Sequence, residues 1–152
     1  MNLNEEIKRI KSLMLENSDP YTISTQGNVN DVPGIHISIG DGETKMGHSN
    51  LLNFNDSSEW DPDILRLLGD NGMFNNDNSI YLYDLEVYEP YRGKGLSNQL
   101  MDTCHNLGKD MGIEYITLIT GRNNNVAQNL YRKYGYDVFN SDDYKDFFYK
   151  RL

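Results

Sequence analysis

A strand-like run of aromatic and aliphatic residues, Ile80 to Val87, leads through Tyr88-Glu89-Pro90-Tyr91 into Arg92-Gly93-Lys94-Gly95-Leu96-Ser97, where an amphipathic segment begins. Glycines in such a turn let backbone N–H groups approach an anion, and the positive end of the following helix dipole attracts it. The chemistry on offer is phosphate binding. The run is neither a P-loop, which needs G-x-x-x-x-G-K-[ST], nor a dinucleotide fingerprint, because Asn98 stands where the third glycine would be. Glycine-rich turns before helices are also common structural devices, so this motif alone leaves both readings open. On the strand itself, Asp84 and Glu86 lie two residues apart, so alternation puts both carboxylates on one face. Such a pair can serve as a general base, or can be ordinary solvated charge.

Leu3, Ile7, Ile10 and Met14 predict an amphipathic helix to about Glu16, with Asn4 as cap. Between Asn17 and Pro33, the run Tyr21-Thr22-Ile23-Ser24 predicts at most a brief strand. Ile35, Ile37 and Ile39 alternate with polar residues before Gly40-Asp41-Gly42, predicting a β-hairpin whose second strand covers about Glu43 to Phe54. A short helix is expected over Asp61 to Leu68 and a loop from Gly69 to Ser79. Leu96, Leu100, Met101, Cys104, Leu107 and Met111 form one helical stripe stopped by Gly112, and Ile116 and Leu118 mark the next strand. Asn124 caps a helix carrying Ala127, Leu130, Tyr131 and Tyr134, which Gly135 ends. Tyr136 to Val138 and Tyr144 to Arg151 then read as two antiparallel strands.

The glycine turn followed by Asn124-x-x-Ala127-x-x-Leu130-Tyr131-x-x-x-Gly135-Tyr136 resembles the GCN5-related N-acetyltransferase (GNAT) superfamily. Arg92, Gly95 and position 97 match that family's Q/R-x-x-G-x-G/A motif, with Ser97 in place of Gly or Ala, and Leu85-Glu86-Val87 matches the L-x-V that ends the preceding strand. The resemblance covers Ile80 to Leu152 and is loose over residues 1–79. It implies an α/β fold with a mixed, mostly antiparallel sheet and helices on both faces, filling residues 1–152 as a single domain whose front half lies on the acceptor side. It implies acetyl-CoA as acyl donor, with the diphosphate on the amides around Arg92, Gly93, Lys94, Gly95, Leu96 and Ser97. The pantetheine arm would run beside Leu85 and Val87, with Asn124 and Ala127 on the opposite wall. Tyr131 takes the place of the family's thiolate-facing tyrosine, and the backbone N–H near Val87 is the expected oxyanion donor. The base would be Asp84 or Glu86. The run Tyr81 to Val87 also looks like the corresponding strand of aminoglycoside 3-N-acetyltransferases, which favours Asp84. The acceptor would be a primary amine, either a small cation or a protein amine, attacked directly in a ternary complex. The alternative is a catalytically silent domain that uses the same cleft as an acyl-CoA sensor or an interaction surface.

With 14 Lys plus Arg against 23 Asp plus Glu, the formal charge of -9 disfavours nucleic acid as a partner and favours a cationic one. No apolar run approaches membrane-spanning length and no leader is evident at Met1, so a soluble cytoplasmic chain is expected, with a homodimer allowed. Cys104, the lone cysteine, rules out an internal disulfide framework and reads as a packing thiol. His36, His48 and His105 share no metal-ligand spacing and none sits beside a suitable carboxylate or Cys pair in sequence, so no metal site is expected. Asp56, Glu59, Asp61 and Asp63 form an acidic stretch that reads as solvated loop charge.

Overall fold

The computed structural model describes residues 5, 22–29, 32–54, 62–68, 73–75 and 77–152. The N-terminal helix expected up to Glu16, and Asp56, Glu59 and Asp61 of the acidic stretch, lie outside these residues.

The chain runs β1 (Thr22–Val29), β2 (Val32–Gly40), β3 (Lys45–Asn53), α1 (Pro62–Leu68), β4 (Ser79–Val87), a 3-10 turn (Glu89–Tyr91), α2 (Leu96–Asp110), β5 (Tyr115–Gly121), α3 (Asn125–Lys133), β6 (Asp137–Ser141) and β7 (Lys145–Arg151). The strands form one sheet in the order β1-β2-β3-β4-β5-β7-β6, antiparallel except for β4 with β5. β1 is longer than the brief strand expected at Tyr21 to Ser24. It pairs with β2 from Thr22↔Gly40 to Val29↔Val32, so ladder hydrogen bonds extend a segment whose side chains carry little strand signal.

Alternation along β2 sends Ile35, Ile37 and Ile39 to one side, where they meet Leu100, Met101 and Cys104 of α2. Ala127, Leu130 and Tyr131 of α3 join this same core. The other face carries a second core of Leu52, Phe54, Ile64, Phe74, Tyr81 and Phe147, covered by α1. Helices therefore flank the sheet on both sides. Among the described residues, no helix is long and apolar enough to cross a membrane.

Two irregularities shape the centre of the sheet. The first is the β4–β5 pairing, which runs only from Ser79↔Tyr115 to Tyr81↔Thr117, although β4 continues to Val87 and β5 to Gly121. Past that point the two strands part and leave a wedge. The second is a β-bulge in β4: His48 pairs with Glu86 but Asn50 pairs with Tyr83, so Asp84 and Leu85 together oppose Ser49. Asp84 absorbs the extra residue with φ 54°, a left-handed conformation that aspartate tolerates better than most residues.

The bulge corrects the simple alternation expected for this strand. Unbroken alternation would put Asp84 and Glu86 on the side of Leu82, inside the core under α2. The inserted residue reverses the phase, so Leu85 and Val87 pack toward that core and both carboxylates are exposed.

Candidate active site

The turn after β4 holds Gly93 at φ 81° and Gly95 at φ 78°, the region glycine enters without steric cost. Gly95 is the N-cap of α2 and no side chain caps that end. The first amides of α2 have no partner within the helix, and a Cβ added at Gly93 or Gly95 would meet nothing within 4 Å. The result is an open, positively polarised concavity suited to an anion. Arg92 ties it to the strand, because its Nε donates to the Val87 carbonyl at 2.9 Å. The expected cradle residue Lys94 is set differently: its ammonium lies 5.9 Å from the Tyr91 ring centroid, and it does not line the cleft below.

That cleft, about 910 Å³, opens between the end of β4 and α3. Leu85, Glu86 and Val87 form one wall, and Arg92, Gly93, Gly95, Leu96 and Ser97 form its head. Asn124, Ala127 and Tyr131 lie across it, with Val126, 83% exposed, also lining it. Asn124 caps α3 as expected, its side-chain oxygen accepting from the Ala127 amide at 3.1 Å. Thus the predicted binding residues, Lys94 excepted, share one cavity. Glu86, expected as a base on the amine side, lines this cavity as well.

Backbone geometry also leaves a donor at the end of β4. The Tyr88 amide donates to the Met46 carbonyl at 2.9 Å, making those residues a hydrogen-bonded pair of the antiparallel ladder. Val87, opposite Gly47, therefore belongs to a non-bonded pair and turns its N–H and C=O away from β3. Arg92 takes the carbonyl, and the amide faces the open wedge. Gly47 permits this close approach, since a Cβ there would sit 2.6 Å from the Glu86 carbonyl oxygen.

Tyr131 is 7% exposed, and its ring packs edge-on to Tyr136 and tilted against Phe148. Burial pushes its phenol up to about 12, with Cys104 and Asp84 adding to the shift, so the hydroxyl is a proton donor across the working range of pH. The packing role and the cleft position coexist in one side chain.

The wedge between β4 and β5 holds a second cavity, about 220 Å³, lined by Tyr81, Tyr83, Asp84, Thr120, Gly121 and Lys145 among others. Beside it lies a cluster that the spacing of residues did not reveal. His48 Nε2 is 2.8 Å from Asp84 Oδ2, His48 Nδ1 is 2.7 Å from the Tyr88 hydroxyl, and one ligand atom from each of His48, Asp84 and Glu86 falls within 4.8 Å of the others. His48 has no suitable carboxylate beside it in sequence, yet meets one in space. Its partner is 36 positions away and is reached only through the β3–β4 register and the bulge.

The other two histidines make different contacts. His36 Nδ1 contacts the Asn50 side-chain oxygen at 2.6 Å, and buried His105 contacts the Tyr136 hydroxyl at 2.8 Å. Cys104 is fully buried and its thiol is pushed up to about 12 by burial, so it is the packing residue its stripe implied.

Residues 15–136 match the acetyltransferase (GNAT) family. The chain belongs to the GNAT family. An uncharacterized N-acetyltransferase of Bacillus subtilis, YycN, is 36% identical over 56 residues, an alignment covering 37% of this chain and 36% of that protein. This GNAT chain thus aligns with little more than a third of the curated relative's length. Among solved structures, a GNAT family acetyltransferase from Elizabethkingia anophelis with acetyl-CoA bound superposes with a TM-score of 0.64 at 13% identity, covering 89% of this chain and all of that one. The PaiA N-acetyltransferase of Thermoplasma acidophilum, in complex with coenzyme A, gives 0.59 at 19% identity, covering 77% of this chain and 60% of that one. At these identities the likeness is one of fold.

Proposed function

We propose that this GNAT chain is an N-acetyltransferase, moving an acetyl group from acetyl-CoA to a primary amine by direct attack in a ternary complex. The observation that carries the reading is that the anion cradle at the start of α2 and the Tyr131 phenol open into one cleft. The donor's chemistry fits the residues there: open backbone around Gly93 and Gly95 and a bare helix end for a diphosphate, then an apolar wall at Leu85, Val87 and Ala127 for the pantetheine arm. Fold relatives crystallised with acetyl-CoA or coenzyme A support the same donor. Bound there, acetyl-CoA supplies the acetyl group as a thioester.

The chain's own groups meet three requirements. Amides from Gly93 to Ser97 hold and orient the donor. The Val87 amide, turned to the wedge, is the donor for oxyanion charge. Tyr131 keeps its proton to about pH 12 and can pass it to a departing thiolate. Asp84 in the wedge and Glu86 beside it give a cationic amine its electrostatic partner and are the candidate proton acceptors. The acceptor class is then a small cationic amine or a protein amine that reaches the wedge.

The test is release of CoA thiol from acetyl-CoA over a panel of amines, wild type against Tyr131→Phe. Wild type should turn over at least one amine. Loss of the general acid should lower kcat by about 100-fold or more while the acetyl-CoA thermal shift is retained. Binding without turnover on any amine would favour an acyl-CoA sensor, and equal turnover in the variant would remove Tyr131 from this role.

A further inference from the structure

We propose that His48, held between Asp84 and Tyr88, is where the proton taken from the acceptor ammonium comes to rest. The role rests on the acetyl-transfer reading above and adds a proton-accepting residue to it.

A carboxylate only accepts hydrogen bonds, so in the 2.8 Å contact with Asp84 Oδ2 the His48 Nε2 carries hydrogen. That leaves Nδ1 as the site that gains and loses a proton, and at 2.7 Å it faces a hydroxyl. The Tyr88 hydroxyl can donate to Nδ1 when the ring is neutral and accept from it when the ring is charged, so neither state loses a hydrogen bond. The Asp84 carboxylate accepts from Nε2–H in both states of the ring. The His48 side chain is 14% exposed, whereas Asp84, at 47%, reaches the wedge cavity.

Reference acidities decide why a relay is preferable to a lone carboxylate. Moving a proton from an ordinary alkylammonium to an ordinary carboxylate is uphill by a factor of about a million, and to an ordinary imidazole by only about ten thousand. In the step itself, the ammonium N–H bond breaks and its electron pair stays on nitrogen. The hydrogen reaches the Tyr88 oxygen, directly or through one water, as the Tyr88 hydrogen moves to Nδ1. The amine attacks, its second proton leaves with the thiol by way of Tyr131, and His48 returns the first to solvent. One proton per turnover is released in total.

The groups facing His48 among the described residues are Asp84 and Glu86 from β4, Tyr88 just after it, and His36 from β2, whose ring centroid is 5.8 Å away and whose Nε2 lies 3.1 Å from Lys45 Nζ. A divalent cation could also be held by His48, Asp84 and Glu86, but both carboxylates are exposed and the His48–Asp84 contact is already made, so the relay accounts for more of the geometry.

The experiment is kcat and kcat/KM for an accepted amine from pH 6 to 10 in wild type, His48→Gln and Tyr88→Phe, with the acetyl-CoA thermal shift measured alongside. His48→Gln should keep that shift and the KM for acetyl-CoA, and lose about 100-fold in kcat near pH 7. The deficit should close toward pH 10, where the amine arrives already neutral. Tyr88→Phe should show a smaller loss of the same pH form. A deficit equal at every pH, or wild-type kinetics in His48→Gln, would overturn the relay. So would activity abolished by EDTA and restored by zinc in wild type, which would assign the cluster to a cation. Intact acetyl-CoA binding with no turnover of any amine by wild type would overturn the transfer reading and this role together. A thermal shift lost in wild type would instead fault the cradle.

Discussion

His105 and the Tyr136 hydroxyl meet 2.8 Å apart inside the core, and burial, with Lys150 adding to it, pushes the imidazole down to about 4. An unfolded imidazole titrates near 6.5, so between those values the unfolded chain binds the proton and the folded chain does not. The sign follows: His105 leaves stability intact above about pH 6.5 and removes it as pH falls toward 4, by roughly 3 kcal/mol in full. His105→Gln keeps a hydrogen-bonding group for Tyr136 and cannot titrate. Its urea-unfolding free energy, measured at pH 7, 5.5 and 4.5, should therefore decline less steeply than that of wild type. An identical acid slope would mean that His105 is protonated in the folded state. Cys104 is a quieter case of the same burial: with its thiol raised to about 12, it should resist alkylation at pH 8 in the native protein and react at once on unfolding, so it will not interfere with a thiol-release assay.

At the scale of elements, two glycines carry different physical demands, and substitution separates them. Gly95→Val puts a branched side chain into the open space above a left-handed cap, so it should abolish the acetyl-CoA thermal shift by blocking backbone approach to the anion. Full affinity in that variant would place the cradle elsewhere. Gly47→Ala acts on the scaffold, because the added Cβ would press on the Glu86 carbonyl 2.6 Å away and force β3 from β4 where the bulge sets Asp84 against His48. A loss of about 1–3 kcal/mol in stability is expected, with activity falling further than stability alone explains. The glycine turn that opens α2, the Asn124 cap and the α2 stripe were legible in the sequence because each is local, with the deciding residues within a few positions of one another. The bulge was not. Nothing in Tyr83-Asp84-Leu85-Glu86 marks an inserted residue, and only pairing with β3 shows that alternation changes phase there. His48 was missed for the same reason, since its partners Asp84 and Tyr88 are 36 and 40 positions away. β1 was underestimated because an edge strand of Ser, Thr and Gln is held by its ladder with β2 more than by side-chain preference.

Over the whole molecule, the formal charge of -9 sets a long-range field that acts oppositely on the two proposed substrates. A cationic amine, the proposed acceptor, would be drawn in from outside contact range. The polyanionic donor would be repelled at a distance and, on the proposed reading, captured only near the polarised end of α2, by amides and Arg92. The screening length falls from about 10 Å at 0.1 M salt to about 3 Å at 1 M, so added salt erases the distant field before it weakens contacts of a few ångströms. For a cationic amine, kcat/KM should fall by about 3- to 10-fold between 20 and 500 mM salt while kcat holds nearly constant, since steering affects capture and not the bound complex. For acetyl-CoA the relief of long-range repulsion offsets screening of the cradle, so its KM should change much less over the same range. Steady-state kinetics with each substrate varied in turn checks the contrast, with a neutral osmolyte as control. Parallel losses for both substrates would show that local contacts, and not the net charge of the chain, govern entry to the cleft.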